Sequence, residues 1–165
     1  MMQTRSLMLA AMLSISATSN GVLASGTHAG GHDDEAIGVP GDPAKVTRTI
    51  AVDMSDNMRF TPDRIKVSRG ETIRFRISNS GKLKHELVLG TKKELEEHYK
   101  AMLKFPEMEH EEENMVTLAP AKTGEIVWKF TKSGKVDFAC LKAGHYDAGM
   151  KGQVIVTAKK KQGYK

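Results

Sequence analysis

A short segment near the end of the 165-residue chain constrains the protein most. It holds the only cysteine of the sequence, Cys140, followed at five-residue steps by His145 and Met150. A thiolate, an imidazole and a thioether on one loop can close on a single soft metal ion, and cysteine and methionine favour copper(I). Two imidazoles and one thiolate with a weak axial thioether form a known copper coordination set. One further histidine must therefore come from elsewhere in the chain.

We expect that histidine to be His85. Residues 85–89 have the pattern of a strand, in which side chains repeat every two residues, so His85 shares its face with two leucines. Residues 135–140 form another predicted strand, whose inward face ends at Cys140. A cysteine that ends one inward face and a histidine that begins another can meet at one end of a β-sandwich.

Short alternating segments separated by turn residues dominate the chain from residue 45 onward. Residues 72–77 alternate strictly, with apolar side chains on one face and arginines on the other. Some seven such segments predict an all-β fold, a β-sandwich, over residues 45–158. One short helix interrupts the pattern, since Thr91 and Glu94 have capping-box spacing and Pro106 ends the helix.

The first 24 residues are predicted to be a signal peptide. Arg5 precedes the largely apolar residues 7–15, and small or aliphatic residues end at Ala24, which predicts cleavage before Ser25. The apolar stretch is too short to span a membrane. Export predicts a periplasmic protein, in which a single cysteine is a reactive thiol that needs an explanation. A metal ligand explains it better than an inert thiol packed as a small hydrophobe.

Two terminal segments flank the predicted domain. Residues 25–44 are polar and glycine-rich and predict a flexible leader. Within it, His28 and His32 could hold copper loosely, or could simply be solvated. Residues 159–165 form a basic tail, which contributes to the net charge of +5. This uneven charge is not a stripe of interleaved basic and aromatic residues of the kind that stacks on bases, so we expect no nucleic-acid partner.

A second group of soft donors lies in and beside an acidic run. Thioethers suit copper(I), so Met108, His110 and Met115 predict a weak secondary copper site, with a solvated loop as the alternative. Met102 lies on the apolar stripe of the predicted helix and is expected to be a core residue. His98 lies beside that stripe and is expected at the surface.

These segments resemble the cupredoxins, the family of plastocyanin, azurin and rusticyanin. The resemblance covers residues 45–158 and is most specific in residues 140–152. Residues 58–60, 85–90 and 108–110 make the chain most similar to the CopI-type periplasmic copper-tolerance cupredoxins. The resemblance implies a Greek-key β-sandwich with one type 1 copper ion per chain. The ligands that it implies are His85, Cys140, His145 and Met150.

The sequence departs from the usual cupredoxin pattern at two positions. Ala143 stands where many relatives have proline before the Gly-His pair, so the loop would be less rigid. Glu86 stands where many relatives have an asparagine that steadies the site. Such changes around the ligands alter metal affinity and reduction potential.

Two functions follow from this interpretation. The resemblance and the additional Met and His residues favour a periplasmic protein that binds copper, and handles its redox state, in copper tolerance. The alternative is a soluble electron carrier between respiratory or photosynthetic partners. Four lysines would then face an acidic partner protein: Lys82, Lys84, Lys142 and Lys151.

Other chemistries fit the sequence less well. We do not expect an enzyme, because copper oxidases and nitrite reductases need further histidine-rich sites and the six histidines include no His-x-His pair. Zinc is disfavoured because methionine is an unusual zinc ligand. If the sandwich bound no metal and served only a structural role, the regular spacing of Cys140, His145 and Met150 would have no explanation.

Overall fold

The computed structural model describes residues 34–159, which form two five-stranded sheets. The predicted signal peptide, His28, His32 and residues 160–165 lie outside that range. The strands are β1 (Val39–Pro40), β2 (Arg48–Ser55), β3 (Arg59–Thr61), β4 (Arg64–Ser68), β5 (Thr72–Asn79), β6 (His85–Gly90), β7 (Met115–Leu118), β8 (Thr123–Lys129), β9 (Gly134–Ala139) and β10 (Lys151–Thr157). The helices are α1 (Asp34–Ile37) and α2 (Lys92–Lys104), with a 3-10 turn at Pro43–Lys45.

The strand order shows a sandwich whose chain crosses repeatedly between the sheets. One sheet has the order β1-β8-β5-β2-β3 and the other β4-β10-β9-β6-β7. Strands β2 and β5 pair in parallel, as do β4 and β10, whereas the other pairs are antiparallel. This is a Greek-key β-sandwich with α2 inserted between β6 and β7. The predicted fold class is confirmed.

The core between the sheets is built from the alternating residues that the sequence places inward. Ile73, Phe75 and Ile77 of β5 are all at most 1% exposed. Phe60 of β3 packs edge-on against Phe138 of β9, with ring centroids 5.1 Å apart, and so joins the two sheets. The inward faces of both sheets thus share one apolar core, which fixes the positions of the strand ends around it.

The sandwich begins before residue 45, within the segment predicted as a leader. Strand β1 pairs antiparallel with β8. Ile37 is only 2% exposed, and its carbonyl accepts a hydrogen bond of 2.9 Å from Trp128 Nε1. A two-residue strand is too short to show alternation, and the glycines and prolines around it are typical of loops. For this reason, the sequence pattern did not predict that this segment belongs to the sandwich.

Helix α2 covers the outer side of the second sheet. Its capping box is present, because Thr91 N–H donates to the Glu94 carboxylate at 2.7 Å and Glu94 N–H donates to the Thr91 hydroxyl at 3.3 Å. Three buried residues pack it against β6 and β9: Leu95, Tyr99 and Met102. Met102 is 1% exposed, as expected for a core residue. No helix within the described part of the chain is long and apolar enough to cross a membrane.

Candidate metal centre

The strand pairing brings His85 and Cys140 to the same end of the second sheet. Strand β6 begins at His85, and Cys140 directly follows β9, which runs antiparallel beside β6 with Val88 opposite Ala139. Both faces of β6 are covered, so all six of its residues are buried. His85 lies on the core face and Cys140 joins the same core, each at 0% exposure.

The loop after Cys140 completes a compact cluster of donors. One donor atom each from His85, Cys140 and His145 lies within 4.8 Å of the other two. Cys140 Sγ is 3.3 Å from His145 Nδ1, and the two imidazole rings have centroids 4.8 Å apart. His85 Nδ1 is buried and has no hydrogen-bond partner among residues 34–159. A buried imidazole nitrogen without a partner is costly, and a bound metal ion would remove that cost.

Main-chain hydrogen bonds place Met150 beside this cluster. Cys140 N–H donates to the Met150 carbonyl at 3.1 Å, and Met150 N–H donates to the His145 carbonyl at 3.1 Å. Met150 is fully buried in the same core as Cys140. The structure therefore brings all four sequence-predicted residues to one end of the sandwich, and the thiolate, two imidazoles and thioether suit copper.

The loop takes its shape from two glycines and an arginine of β3. Gly144 and Gly149 have φ of +83° and +94°, a region that side chains disfavour. Arg59 Nη1 donates to the Ala148 carbonyl at 2.9 Å. A Cβ at Gly149 would lie 3.1 Å from the same Nη1 atom, so a side chain there would also press on Arg59.

Helix α2 holds the loop from the other side through Tyr99. Its hydroxyl accepts a 3.0 Å hydrogen bond from Gly144 N–H and donates a 2.8 Å bond to the Asp147 carboxylate. Burial raises the pKa of Tyr99, so the hydroxyl keeps its proton at neutral pH. Its ring lies 4.9 Å from that of Tyr146. The sequence predicted only that Tyr99 lies in the core, because no local pattern links Tyr99 to Gly144, which follows 45 residues later.

Asp56 fixes the orientation of His85. Its Oδ1 atom lies 3.0 Å from His85 Nε2. Its carboxylate also accepts bonds from the N–H groups of Lys82 at 2.7 Å and Leu83 at 3.2 Å. The bond from Lys82, followed by that from His85, holds the pKa of Asp56 below its usual value. An ionised Asp56 places the imidazole proton on Nε2 and leaves the Nδ1 lone pair of His85 for a metal.

We expect Asp56→Ala to weaken copper binding by about 10–100-fold, the usual effect of losing the partner of a ligating histidine. Competition against a chelator of known affinity measures the change. Asp53→Ala is the matched control, because Asp53 is also a carboxylate of the β2 region but accepts bonds from the hydroxyls of Ser78 and Ser80 rather than holding His85. Equal affinity of Asp56→Ala and wild type would show that Asp56 does not orient the ligand.

Glu86 ties the outer face of β6 to the residues just after Cys140. It is 1% exposed, and its Oε1 atom accepts a 3.0 Å hydrogen bond from Leu141 N–H. Its Oε2 atom lies 3.7 Å from Lys142 Nζ and accepts a 3.4 Å bond from the Thr117 hydroxyl. The carboxylate that replaces the usual asparagine therefore braces the loop and adds a buried negative charge near the cluster.

Burial also affects the protonation of the clustered Cys140 and His145 side chains. It raises the pKa of the Cys140 thiol to about 12. Burial, followed by the proximity of His85, lowers the pKa of His145. At neutral pH the Cys140 thiol thus keeps its proton. The His145 imidazole is neutral, so one of its ring nitrogens has a lone pair that could bind a metal. A metal that bound Cys140 would have to displace its thiol proton, so its binding would release a proton.

The predicted secondary donors lie outside this cluster. Met108 is 46% exposed, whereas Met115 is 8% exposed and packs with α2. His110 is half-buried, and its ring lies 4.6 Å from that of His98, which is also half-buried rather than fully at the surface. His28 and His32 lie outside the described residues.

The sequence of residues 46–157 matches the copper-binding proteins of the plastocyanin/azurin family. The chain belongs to this family, the cupredoxins. This cupredoxin is 50% identical over 132 residues to the copper-resistant cuproprotein CopI of Rubrivivax gelatinosus, covering 78% of this chain and 80% of the relative. It is 36% identical over 151 residues to CopI of Pseudomonas aeruginosa, covering 74% and 83% of the two chains.

Solved structures support the fold of this cupredoxin. The reduced auracyanin of Roseiflexus castenholzii superposes with a TM-score of 0.58 at 20% identity, over 68% of this chain and 98% of auracyanin. Auracyanin A of Chloroflexus aurantiacus, a "blue" copper protein, gives 0.56 at 21% identity, over 66% and 98%. Family membership and the three clustered donors together make copper the cofactor of this cupredoxin.

Proposed function

We propose that this cupredoxin is a periplasmic type 1 copper protein that binds copper in copper tolerance. The observation that carries the proposal is the buried cluster of one thiol and two imidazoles, in a chain half identical to a copper-resistant cuproprotein. The proposed ligands are His85, Cys140, His145 and Met150.

Each proposed ligand has a distinct part in holding the ion. Cys140 and the two histidines would hold the copper ion most strongly, and the Met150 thioether would be a weaker donor that tunes its potential. Bound copper supplies one-electron chemistry between its two oxidation states. His85 and Cys140 are fully buried, whereas His145 is only partly buried. Copper and electrons would therefore exchange with the surroundings past His145.

The proposed location rests on the N-terminal sequence. Residues 1–24 have the order of a signal peptide, with a basic residue, an apolar stretch and small residues before the cleavage position. A protein that binds copper for tolerance would meet incoming copper outside the cytoplasm, before the metal enters it. In such a compartment, a single cysteine without a disulfide partner is best used as a ligand.

The surface near the cluster favours tolerance over electron transfer to an acidic partner. Lys84 pairs with Glu109 at 2.7 Å, and Lys142 pairs with Glu86 at 3.7 Å. Lys151 Nζ lies 3.5 Å above the Tyr146 ring. The two ion pairs leave less unpaired positive charge for steering an acidic partner than the sequence indicated, whereas Lys151 keeps its charge above the ring.

A deletion strain tests the proposed function. We expect it to grow poorly at copper concentrations that the parent tolerates, with unchanged respiratory or photosynthetic electron transport. The wild-type gene should restore growth, and a Cys140→Ser gene should not, although the two proteins reach equal levels in the periplasmic fraction. Normal copper tolerance together with impaired electron transport would instead support the carrier function.

A further inference from the structure

The hydroxyl of Tyr99 bonds to the loop on both sides of His145. It accepts a 3.0 Å hydrogen bond from the N–H of Gly144, the residue directly before His145. It donates a 2.8 Å bond to the carboxylate of Asp147, two residues after His145. The hydroxyl thus acts as donor and acceptor at once. Tyr99 is only 5% exposed and is itself fixed by packing, so one anchored group holds the chain around His145.

His145 is the donor of the cluster that most needs such support. His85 and Cys140 are 0% exposed, and strands β6 and β9 place them directly. His145 is only half-buried and lies in the loop between β9 and β10. Its Nδ1 atom nevertheless lies 3.3 Å from the sulfur of Cys140. A side chain on a loop keeps such a position only as well as the backbone on either side of it is held.

The local sequence gives the loop little stiffness at the point where Tyr99 bonds to it. Ala143 precedes Gly144, at a position where a proline would fix φ and an alanine does not. Gly144 follows with φ of +83°, and glycine loses more conformational entropy on ordering than any other residue. The bond from Gly144 N–H to the Tyr99 hydroxyl therefore supplies from α2 a constraint that the loop sequence lacks.

Helix α2 connects this part of the loop to the strands that place the other donors. Its buried residues, Tyr99 among them, share an apolar cluster with Val88 of β6 and Ala139 of β9. Val88 and Ala139 are opposite each other in the strand pairing, and Ala139 directly precedes Cys140. The packing that fixes α2 on these strands thus fixes the Tyr99 hydroxyl, and through it His145, relative to Cys140.

We propose that Tyr99 is a positioning residue for copper, whose hydroxyl holds His145 where its imidazole meets the thiol of Cys140. The proposal rests on the proposed function, because it assigns a part in the same copper site. A ligand that is ordered beforehand loses less conformational entropy on binding, so the ion is held more tightly. A loosened imidazole weakens copper(II) binding more than copper(I) binding, because the soft sulfur donors still suit the reduced ion.

Tyr99→Phe tests this role, because it keeps the ring and removes both hydrogen bonds. In the copper-free full-length protein, hydrogen–deuterium exchange followed by NMR should show faster exchange of the Gly144 N–H. Chelator competition should show copper(II) affinity reduced about tenfold, the scale of one or two hydrogen bonds, and a smaller change for copper(I). Tyr146→Phe is the matched control and should match wild type, because it removes the hydroxyl of the neighbouring ring and leaves both Tyr99 bonds.

Substitutions of the exposed Asp147 decide the question where Tyr99→Phe fails to fold. Asp147→Ala and Asp147→Asn remove the same charge, but the asparagine oxygen can still accept the Tyr99 bond. We expect Asp147→Ala to bind copper(II) more weakly than Asp147→Asn, and equal affinities of the two would overturn the proposal.

A folded Tyr99→Phe that binds copper(II) as tightly as wild type would also overturn the proposal, even if its free energy of unfolding falls, because the hydroxyl would then serve only the fold. The failure of the proposed function looks different. In that case wild type itself takes up copper(II) without the thiolate-to-copper absorption, whatever the effect of Tyr99→Phe.

Discussion

The copper(II)-loaded wild-type protein is expected to show an intense visible thiolate-to-copper absorption, and Cys140→Ser is expected to lose it completely. Cys140 is the only cysteine in the sequence, so no other residue can provide the thiolate. A serine oxygen is a hard donor, ill-suited to copper(I) and unable to give the same charge-transfer transition. Visible spectroscopy during stoichiometric copper(II) addition measures the effect.

Met150→Leu is the matched control for this experiment. It removes another fully buried sulfur of the same loop but leaves the thiolate and both imidazoles. The absorption should persist, with a shifted maximum, since the Met150 thioether would be a weak donor that tunes the site. A wild-type protein that takes up one copper(II) without the absorption would overturn the type 1 assignment.

Glu86→Ala is expected to destabilise the protein and to raise the reduction potential of the copper. The change leaves the buried Leu141 N–H without its acceptor, which costs about 1–3 kcal/mol. It also removes a buried negative charge close to the ligands. Such a charge stabilises copper(II) more than copper(I), so its loss favours the reduced form. Denaturant unfolding and a redox titration measure the two effects.

Glu86→Gln separates the hydrogen bond from the charge. The amide oxygen can still accept the Leu141 N–H bond, so this variant should retain most of the stability that Glu86→Ala loses. It carries no charge, and its reduction potential should rise as in Glu86→Ala. Equal losses of stability in both variants would refute the bracing role of the hydrogen bond. An unchanged potential in both would show that the copper does not sense the carboxylate.

The clustering of the proposed ligands was largely predictable from the sequence because it depends on local spacing and strand periodicity. Cys140, His145 and Met150 lie on one short loop, so the chain itself keeps them close. His85 follows from alternation, which puts it on the core face at the start of its strand. The start of one periodic strand and the end of another then meet at one side of the sandwich, which brings His85 to the loop of Cys140.

The residues that support the proposed ligands could not be predicted in this way. Asp56 lies 29 residues before His85, and Tyr99 lies 45 residues before Gly144. Their contacts arise only when separate elements dock, and a turn aspartate or an apolar helical tyrosine has ordinary local explanations. Strand β1 was missed for a related reason, because its pairing with β8 depends on a distant partner rather than on its own pattern.

The burial of Cys140 also protects the protein before it acquires copper. Disulfide exchange and oxidation to sulfenic acid need an accessible thiolate. Cys140 is 0% exposed, and burial raises the pKa of its thiol to about 12, so almost none of it is thiolate at neutral pH. In the oxidising compartment proposed for this chain, the newly exported protein would keep its cysteine reduced and unmodified. The packing that gathers the four proposed ligands would thus also lengthen the chemical lifetime of the unloaded protein.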